Sequence, residues 1–319
     1  MRTIRGSEGI PAELQGAIVT IGNFDGVHLG HQVIFRKLLE ESHREHRPSV
    51  VISFEPHPKM VLHPERRPFY LITSLEEKIV LLDALGFDAF LLIPFTLEYA
   101  RTTAEEFIHA VLLEKLQIRK ILIGHDYTFG RGKEGNETFL AESGRRLGFE
   151  VEVMGAVKID NTTVSSTRIR EALLAGEVRF AASLLGRPYN LAGRVIHGKQ
   201  RGIRLGFPTA NILPEKELVP SRGVYAVWVL LDGNRHQGVL SIGVNPTFAD
   251  QGFSIEVHIL DFKENIYDKA LNLLFVERIR DEIRFGSPEE LIAEINRDVT
   301  RTREILRTEG QEKGALPPL

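Results

Sequence analysis

AIVTI-GNFDGVHLGH, Ala17 to His31, decides how this chain is read. The apolar run Ala17 to Ile21 predicts a buried strand, and the segment from about Leu29 to His46 has the period of a helix. Between them lies a loop punctuated by Gly22, Gly26 and Gly30. A strand, a glycine-rich turn and a helix entrance present backbone N–H groups and the positive end of a helix dipole to whatever sits above the loop. An anion is the natural guest, and His28 and His31 can donate hydrogen bonds to phosphate oxygens. The loop reads as a nucleotide site.

Outward from this stretch, residues 17 to 154 alternate between apolar strand-like runs and helical segments. The predicted strands are Ala17 to Ile21, Ser49 to Phe54, Asp88 to Pro94, Lys120 to Ile123 and Glu150 to Met154, apolar enough to be covered on both faces. Ser74 with Glu77 forms a capping box before IVLLDAL, closed by Gly86, and Thr103 with Glu106 repeats the device before FIHAVLLEKL. Such alternation predicts a doubly wound, mainly parallel sheet, a Rossmann-like α/β domain. Its ligands bind at the carboxyl ends of the strands. The loops GNFDGVHLGH, EPHP, PFTLEYA and GHDYTFGRGKEGN all follow predicted strands, so they share that edge.

After the fifth strand, VSSTRIREALLAG (Val164 to Gly176) predicts another helix, and Val178 to Leu185 a last one. The pattern then changes. From Gly186 to about Arg280 strand-like segments and turns dominate, with Asp232-Gly233-Asn234 as a hairpin turn, which predicts a small all-β barrel. Ser287, Pro288 and Glu290 open a C-terminal helix whose Leu291, Ile295 and Val299 should dock on the barrel, and residues after about Thr308 read as a frayed tail. The expected domains are 1–186 and 187–319.

The bulk numbers agree. A chain of 319 residues is long enough for two cores, and 43% apolar with 26% charged residues is a globular composition. A net charge of -3 gives no global reason to expect nucleic-acid binding. There is no cysteine, which excludes disulfides, thiolate metal sites and cysteine nucleophiles and fits a reducing cytoplasm. The charged N-terminus has no signal-peptide core, and no apolar run approaches membrane-spanning length, so a cytoplasmic protein without membrane contact is expected.

Gly22, Phe24, Asp25, His28, Gly30 and His31 together resemble the G-x-F-D-x-x-H-x-G-H signature of the nucleotidyltransferase superfamily. Val164 to Arg170 resembles its second element, ISSTxIR, with Val for Ile. FEPHP at Phe54 to Pro58 and GHDYTFGRGKEGN at Gly124 to Asn136 are similar to loops of the FMN adenylyltransferases, with Tyr127 for the usual Phe. The resemblance implies that FMN phosphate attacks the α-phosphorus of ATP and pyrophosphate leaves, giving FAD. It assigns His28 and His31 to the transition-state phosphates, Ser166, Thr167 and Arg170 to pyrophosphate, and Asp126, with Gly22, Asn23, Phe24, Asp25 and Gly30, to nucleotide binding.

The second constellation lies between Val178 and Pro214, which holds Arg179, Arg187, Arg194, Lys199, Arg201 and Arg204 but no acidic residue. Gly193, Gly198, Gly202 and Gly206 can wrap a polyphosphate, and Thr209 and Asn211 offer hard oxygens suited to Mg²⁺. In IEVHILDF, Glu256 and His258 alternate with Ile255, Val257 and Ile259, so Glu256 leaves its strand opposite the apolar face. This region resembles the riboflavin kinase signature ending in LGFPTAN. That resemblance implies nucleotide contacts at Gly206, Phe207 and Pro208, Mg²⁺ and ATP phosphates at Thr209 and Asn211, Glu256 as the catalytic carboxylate, and Arg280 as a flavin or nucleotide contact. Residues 265 to 268, Asn-Ile-Tyr-Asp, depart from the family's flap sequence.

Both halves together resemble the bifunctional riboflavin kinase and FMN adenylyltransferase family. Its implied substrates are ATP, riboflavin and FMN, with FAD as final product. The competing expectations are a transferase for pantetheine or nicotinamide nucleotides and a barrel that senses flavin or binds nucleic acid through its basic cluster.

Overall fold

The computed structural model describes residues 1–66, 68–198, 205–243 and 254–312. The chain divides into two compact units. The first comprises residues 1–69 and 73–165, and the second begins at Ser166 and includes Tyr70–Ile72.

The first unit is built on a six-stranded sheet of β1 (Arg2–Arg5), β2 (Ile18–Ile21), β3 (Ser49–Glu55), β4 (Ala89–Pro94), β5 (Lys120–Gly124) and β6 (Glu150–Met154). Their order is β1-β4-β3-β2-β5-β6, and every pairing is parallel. All five predicted strands form. The strand β1 was not expected, because Arg2, Thr3 and Arg5 are exposed at a sheet edge and leave no apolar pattern. The inner strands bury both faces: Val19, Ile21, Val50, Ile52, Leu91 and Ile121 join one core cluster, and Ile18, Val51, Phe90, Leu92 and Leu122 the other. Period-two alternation therefore divides near-continuous apolar runs between two helical layers.

Helix α1 (Leu29–Glu45) buries Ile34, Phe35 and Leu38 and stops at His46, whose φ of 51° is left-handed. The short α2 (Pro58–Leu62) follows β3. Both capping boxes close as read: Ser74 starts α3 (Leu75–Leu85), which Gly86 ends at φ 87°, and Thr103 starts α4 (Ala104–Phe107). The run expected to continue as α-helix instead adopts π geometry over Ile108–Lys115. Helix α5 (Glu137–Leu147) precedes β6, and a small hairpin of β7 (Lys158–Ile159) and β8 (Thr162–Thr163) leads to Val164.

The second unit opens with α6 (Ser166–Ala175) and α7 (Val178–Leu185), so division by compactness falls at Ser165 rather than at Gly186. The strands β9 (Tyr189–Ile196), β10 (Ala210–Pro214), β11 (Gly223–Leu231), β12 (Asn234–Gly243), β13 (Ser254–Ile259) and β14 (Ala270–Arg280) then close a barrel in the order β10-β13-β12-β11-β14-β9. All its pairings are antiparallel. Asp232 and Gly233, at φ 49° and 79°, make the two-residue turn read from the sequence. Tyr225, Val227, Leu240, Val257 and Phe275 are fully buried. Helix α8 (Pro288–Glu312) starts where Ser287 Oγ accepts from Glu290 N–H, and it seats Val299 against Val224, Val239 and Leu260. It continues past Thr308, where fraying was expected.

One buried charge cluster ties α1 to the sheet. Glu41, with its side chain 3% exposed, lies 3.0 Å from Lys37 Nζ and 2.7 Å from Lys120 Nζ, and Lys120 also reaches Glu152 at 2.5 Å. Burial raises the Glu41 carboxyl pKa, but the adjacent Lys120 and Lys37 ammonium groups outweigh it and leave the pKa below its ordinary value. A carboxylate with a depressed folded pKa adds stability that is present above its unfolded pKa and is lost as pH falls through the folded one. Removing one partner of such a pair costs about 3 kcal/mol. Glu41→Gln is therefore expected to lower the urea midpoint of the first unit at pH 7. The deficit should begin to shrink as pH falls below the unfolded carboxyl value of about 4.3, and should vanish once the folded Glu41 carboxyl, held lower, is itself protonated.

Candidate active sites

Because the strands of the first sheet are parallel, the loops after β2, β3, β4 and β5 open on one edge, and the strand order reverses between β2 and β5. The loop after β2 is tightly wound. Phe24 and Val27 take left-handed φ values of 49° and 44°, and a Cβ on Gly22 would stand 2.9 Å from the Phe24 ring. His28 caps α1, its Nδ1 accepting the His31 N–H at 3.3 Å. With Nδ1 accepting, the proton of a neutral His28 ring resides on Nε2, where it can be donated. The two imidazoles stack at 3.5 Å, and Phe24 meets His31 edge-on at 5.2 Å. A Cβ on Gly30 would lie 3.1 Å from the His28 ring and 3.8 Å from Val164 O, so the glycine between the histidines makes room for the first of them.

The other residues read from this motif have different surroundings. Asp25 is 2% exposed, and its Oδ1 accepts the Thr73 N–H at 3.1 Å, a bond that organises the loop from below. Asn23 O accepts from Lys78 Nζ at 2.7 Å, while its buried Oδ1 has no hydrogen-bond partner among the described residues. Asp126 is exposed in the turn after β5, where Tyr127 N–H donates to Gly124 O. Ser166, Thr167 and Arg170 lie on the first turns of α6 in the second unit, and Arg170 Nε donates to Tyr70 O at 2.6 Å.

An aromatic wall beside the loops after β3 and β4 was not assigned from the sequence. Phe54, Phe95 and Tyr99 meet one another at 5.7 to 6.2 Å, and Tyr127 stacks on Phe129 at 5.7 Å. Burial pushes the Tyr99 hydroxyl pKa up to about 12, and burial likewise raises that of Tyr127 well above its ordinary value. Neither hydroxyl has a hydrogen-bond partner among the described residues. The aromatic content of PFTLEYA was the available signal, but ring packing across two loops is a tertiary fact.

In the barrel, strand pairing assembles the second site. Asn211 on β10 stands opposite Glu256 on β13, and Thr209 Oγ1 donates to Glu256 Oε2 at 3.2 Å. Ile255, Val257 and Ile259 are buried while Glu256 and His258 are half-exposed, the alternation read from the sequence. His258 Nδ1 donates to Pro208 O at 2.8 Å and meets Phe207 edge-on. A cavity of about 270 Å³ adjoins these groups, lined by Val195, Thr209, Val257, Ile259, Phe262, Ile266 and Tyr267 among others, so the altered 265–268 segment forms part of its wall.

The glycines of this region differ in their reasons. A Cβ on Gly198 would fall 2.1 Å from Asn211 Nδ2, and one on Gly193, inside β9, 2.5 Å from Ile212 Cγ2. Gly193 thus serves strand packing, and Gly206 stands in an exposed turn at φ 86°. Arg280 donates to Asp281 O, and its pairing with Asp298 at 2.7 Å anchors α8. In the basic cluster Arg179 pairs with Glu277. Gly202, Lys199, Arg201 and Arg204 lie outside the described residues.

A parallel α/β unit with paired histidines at a helix entrance, followed by a barrel with a Thr/Asn/Glu patch, fits a two-site, nucleotide-using transferase. The family model described as FAD synthetase matches residues 10–168, and that of riboflavin kinase residues 185–306. A bifunctional riboflavin kinase/FMN adenylyltransferase from Pseudomonas fluorescens is 40% identical over 95% of this chain and 97% of its own length. Its counterpart from Escherichia coli K12 is 38% identical over 95% and 97%. A crystal structure described as a macrolide-efflux protein from Streptococcus pneumoniae is 33% identical, with a TM-score of 0.86 over 95% of this chain and 99% of that one. No described helix here is long and apolar enough to cross a membrane. The chain belongs to the bifunctional riboflavin kinase/FMN adenylyltransferase family.

Gly198→Ala tests the second site. Its methyl group must displace the Asn211 amide, so riboflavin phosphorylation is expected to fall by about tenfold or more, while adenylylation of supplied FMN continues at the wild-type rate.

Proposed function

We propose that the barrel transfers the γ-phosphoryl group of ATP to riboflavin, and that the first unit transfers the adenylyl group of a second ATP to the FMN so formed. For adenylyl transfer, the observation that carries the reading is the His28–Gly30–His31 arrangement at the entrance of α1. Two stacked imidazoles stand at the positive end of α1, where phosphate charge is favoured. An FMN phosphate oxygen attacks the α-phosphorus in line as the bond to pyrophosphate breaks. His28 and His31 donate to the oxygens on which charge builds, and Ser166, Thr167 and Arg170 receive pyrophosphate. Gly22, Asn23, Phe24, Gly30 and Asp126 remain nucleotide contacts in this proposal. Asp25 acts through the loop it braces. The wall of Phe54, Phe95 and Tyr99 suits the flat isoalloxazine ring by stacking.

In the barrel, Glu256 takes the proton from the ribityl 5′-hydroxyl as that oxygen attacks the γ-phosphorus and the bond to the β,γ-bridging oxygen breaks, releasing ADP, while the Thr209 hydroxyl orients the carboxylate. Thr209 and Asn211 supply uncharged hard oxygens beside Glu256, a donor set that would hold Mg²⁺ better than a softer metal. These residues would hold Mg²⁺, which would supply charge neutralisation for phosphoryl transfer. The apolar part of the 270 Å³ cavity suits a flavin or adenine ring. Residues 1–186 and 187–319 are proposed as the functional domains, supported by family matches at 10–168 and 185–306. The cytoplasmic location expected from the sequence belongs to the same proposal, and cell fractionation tests it.

Purified protein given riboflavin, Mg²⁺ and ATP should yield FMN and then FAD by liquid chromatography; absence of both products would overturn the reading. Replacing His28 and His31 with Ala is expected to slow FAD formation by about 100-fold or more while riboflavin is still converted to FMN. Glu256→Gln should do the reverse, slowing riboflavin phosphorylation by about 100-fold and sparing FAD formation from supplied FMN.

A further inference from the structure

Lys78 is the least expected charge in the first unit. It lies in the first turn of α3, is 6% exposed, and its Nζ donates to Asn23 O at 2.7 Å. An ammonium is disfavoured there twice, by loss of water and by the positive end of the helix dipole. Burial accordingly lowers its pKa, against the pull of the nearby Asp25 and Glu55 carboxylates. A methionine would fill the same space without either cost, so packing alone does not account for a lysine.

Its acceptor supplies the account. Asn23 stands between Gly22, held to the sheet by Gly22 N–H donating to Ile52 O, and Phe24, whose φ of 49° is strained for a residue with a side chain. Asn23 O also takes a longer bond from Ser53 Oγ at 3.4 Å. In a trans peptide the carbonyl and the following N–H point in opposite directions, so a carbonyl drawn toward Lys78 aims the Phe24 N–H away from it. That N–H has no acceptor among the described residues. Asp25, next in the chain, is fixed to Thr73, two residues before α3 begins. The loop that ends in His28 is thus held to the α3 end of the fold at two successive points, one a buried ammonium.

We propose that Lys78 is a positioning residue for adenylyl transfer: it clamps the Asn23 carbonyl and so holds the strained loop with its N–H groups and His28 set for the phosphates. The inference rests on the adenylyltransferase reading of this unit. It predicts that loss of the clamp harms turnover more than substrate affinity, because misplacement of reacting groups is felt in the transition state.

Full-length Lys78→Met and Lys78→Gln are to be compared with wild type for FAD formation from supplied FMN, for riboflavin phosphorylation and for thermal unfolding. The expected result is a fall in kcat for FAD formation of about thirtyfold in Lys78→Met, with KM for ATP and FMN within about threefold and phosphorylation unchanged. Hydrogen exchange at residues 22–28 should rise in the same variant. A kcat within about threefold of wild type would overturn the inference and leave the adenylyltransferase reading intact. So would KM values that rise as kcat falls, or unfolding of the first unit in both variants, since the lysine would then be structural only. A wild-type protein that makes no FAD would overturn the reading and the inference with it.

Discussion

Strand direction is the constraint on which the first unit depends. Six strands paired in parallel must be joined by crossovers, and every crossover leaves from the same edge of the sheet. Chemistry written at four separated places in the chain, after β2, β3, β4 and β5, therefore arrives at one rim. The apolar strands beneath pay no attention to that chemistry. They bury both faces against two core clusters, which makes the rim rigid enough to carry a loop with two left-handed non-glycine residues.

Within the loop, small residues and caps convert that rigidity into orientation. His28 does two things with one ring. Nδ1 closes the first turn of α1, and the other nitrogen is left on the donating side. Gly30 is the condition for this, because any side chain there would press on the imidazole. Below the loop the supports are polar and buried: Asp25 on Thr73, and Lys78 on Asn23 O. Further along α1, Glu41 and Lys120 fasten the helix to β5. Charges removed from water are tolerated here because each has an oppositely charged neighbour, and their directionality fixes where the helix entrance lies.

The barrel reaches the same end by antiparallel register. Cross-strand pairing places Asn211 opposite Glu256 although 45 positions separate them in the chain. The Thr209 hydroxyl then bonds the carboxylate from the strand's approach. Gly198 lets the chain just after β9 approach Asn211, whereas Gly193 lets β9 and β10 pack. Two glycines of one motif thus have unrelated physical reasons.

The chain by itself determined the elements whose signals are local. Apolar runs named the five strands β2 to β6, Ser74 with Glu77 and Thr103 with Glu106 named two helix starts, Asp232-Gly233 named a hairpin, and alternation named the outward face carrying Glu256. The motif residues were legible because nucleotide chemistry requires rare residue types at fixed spacing. Only the tertiary structure decided the rest. The strand β1 exists because β4 offers an open edge, and the π geometry after Phe107 has no pattern in its residues. The pairing of Arg280 with Asp298 depends on where α8 docks. The packing of α6 with the barrel unit, the wall of Phe54, Phe95 and Tyr99, and the burial of Lys78 likewise depend on contacts between residues far apart in sequence. Periodicity reports how one segment meets its surroundings; which segment supplies those surroundings is settled only when the chain has folded.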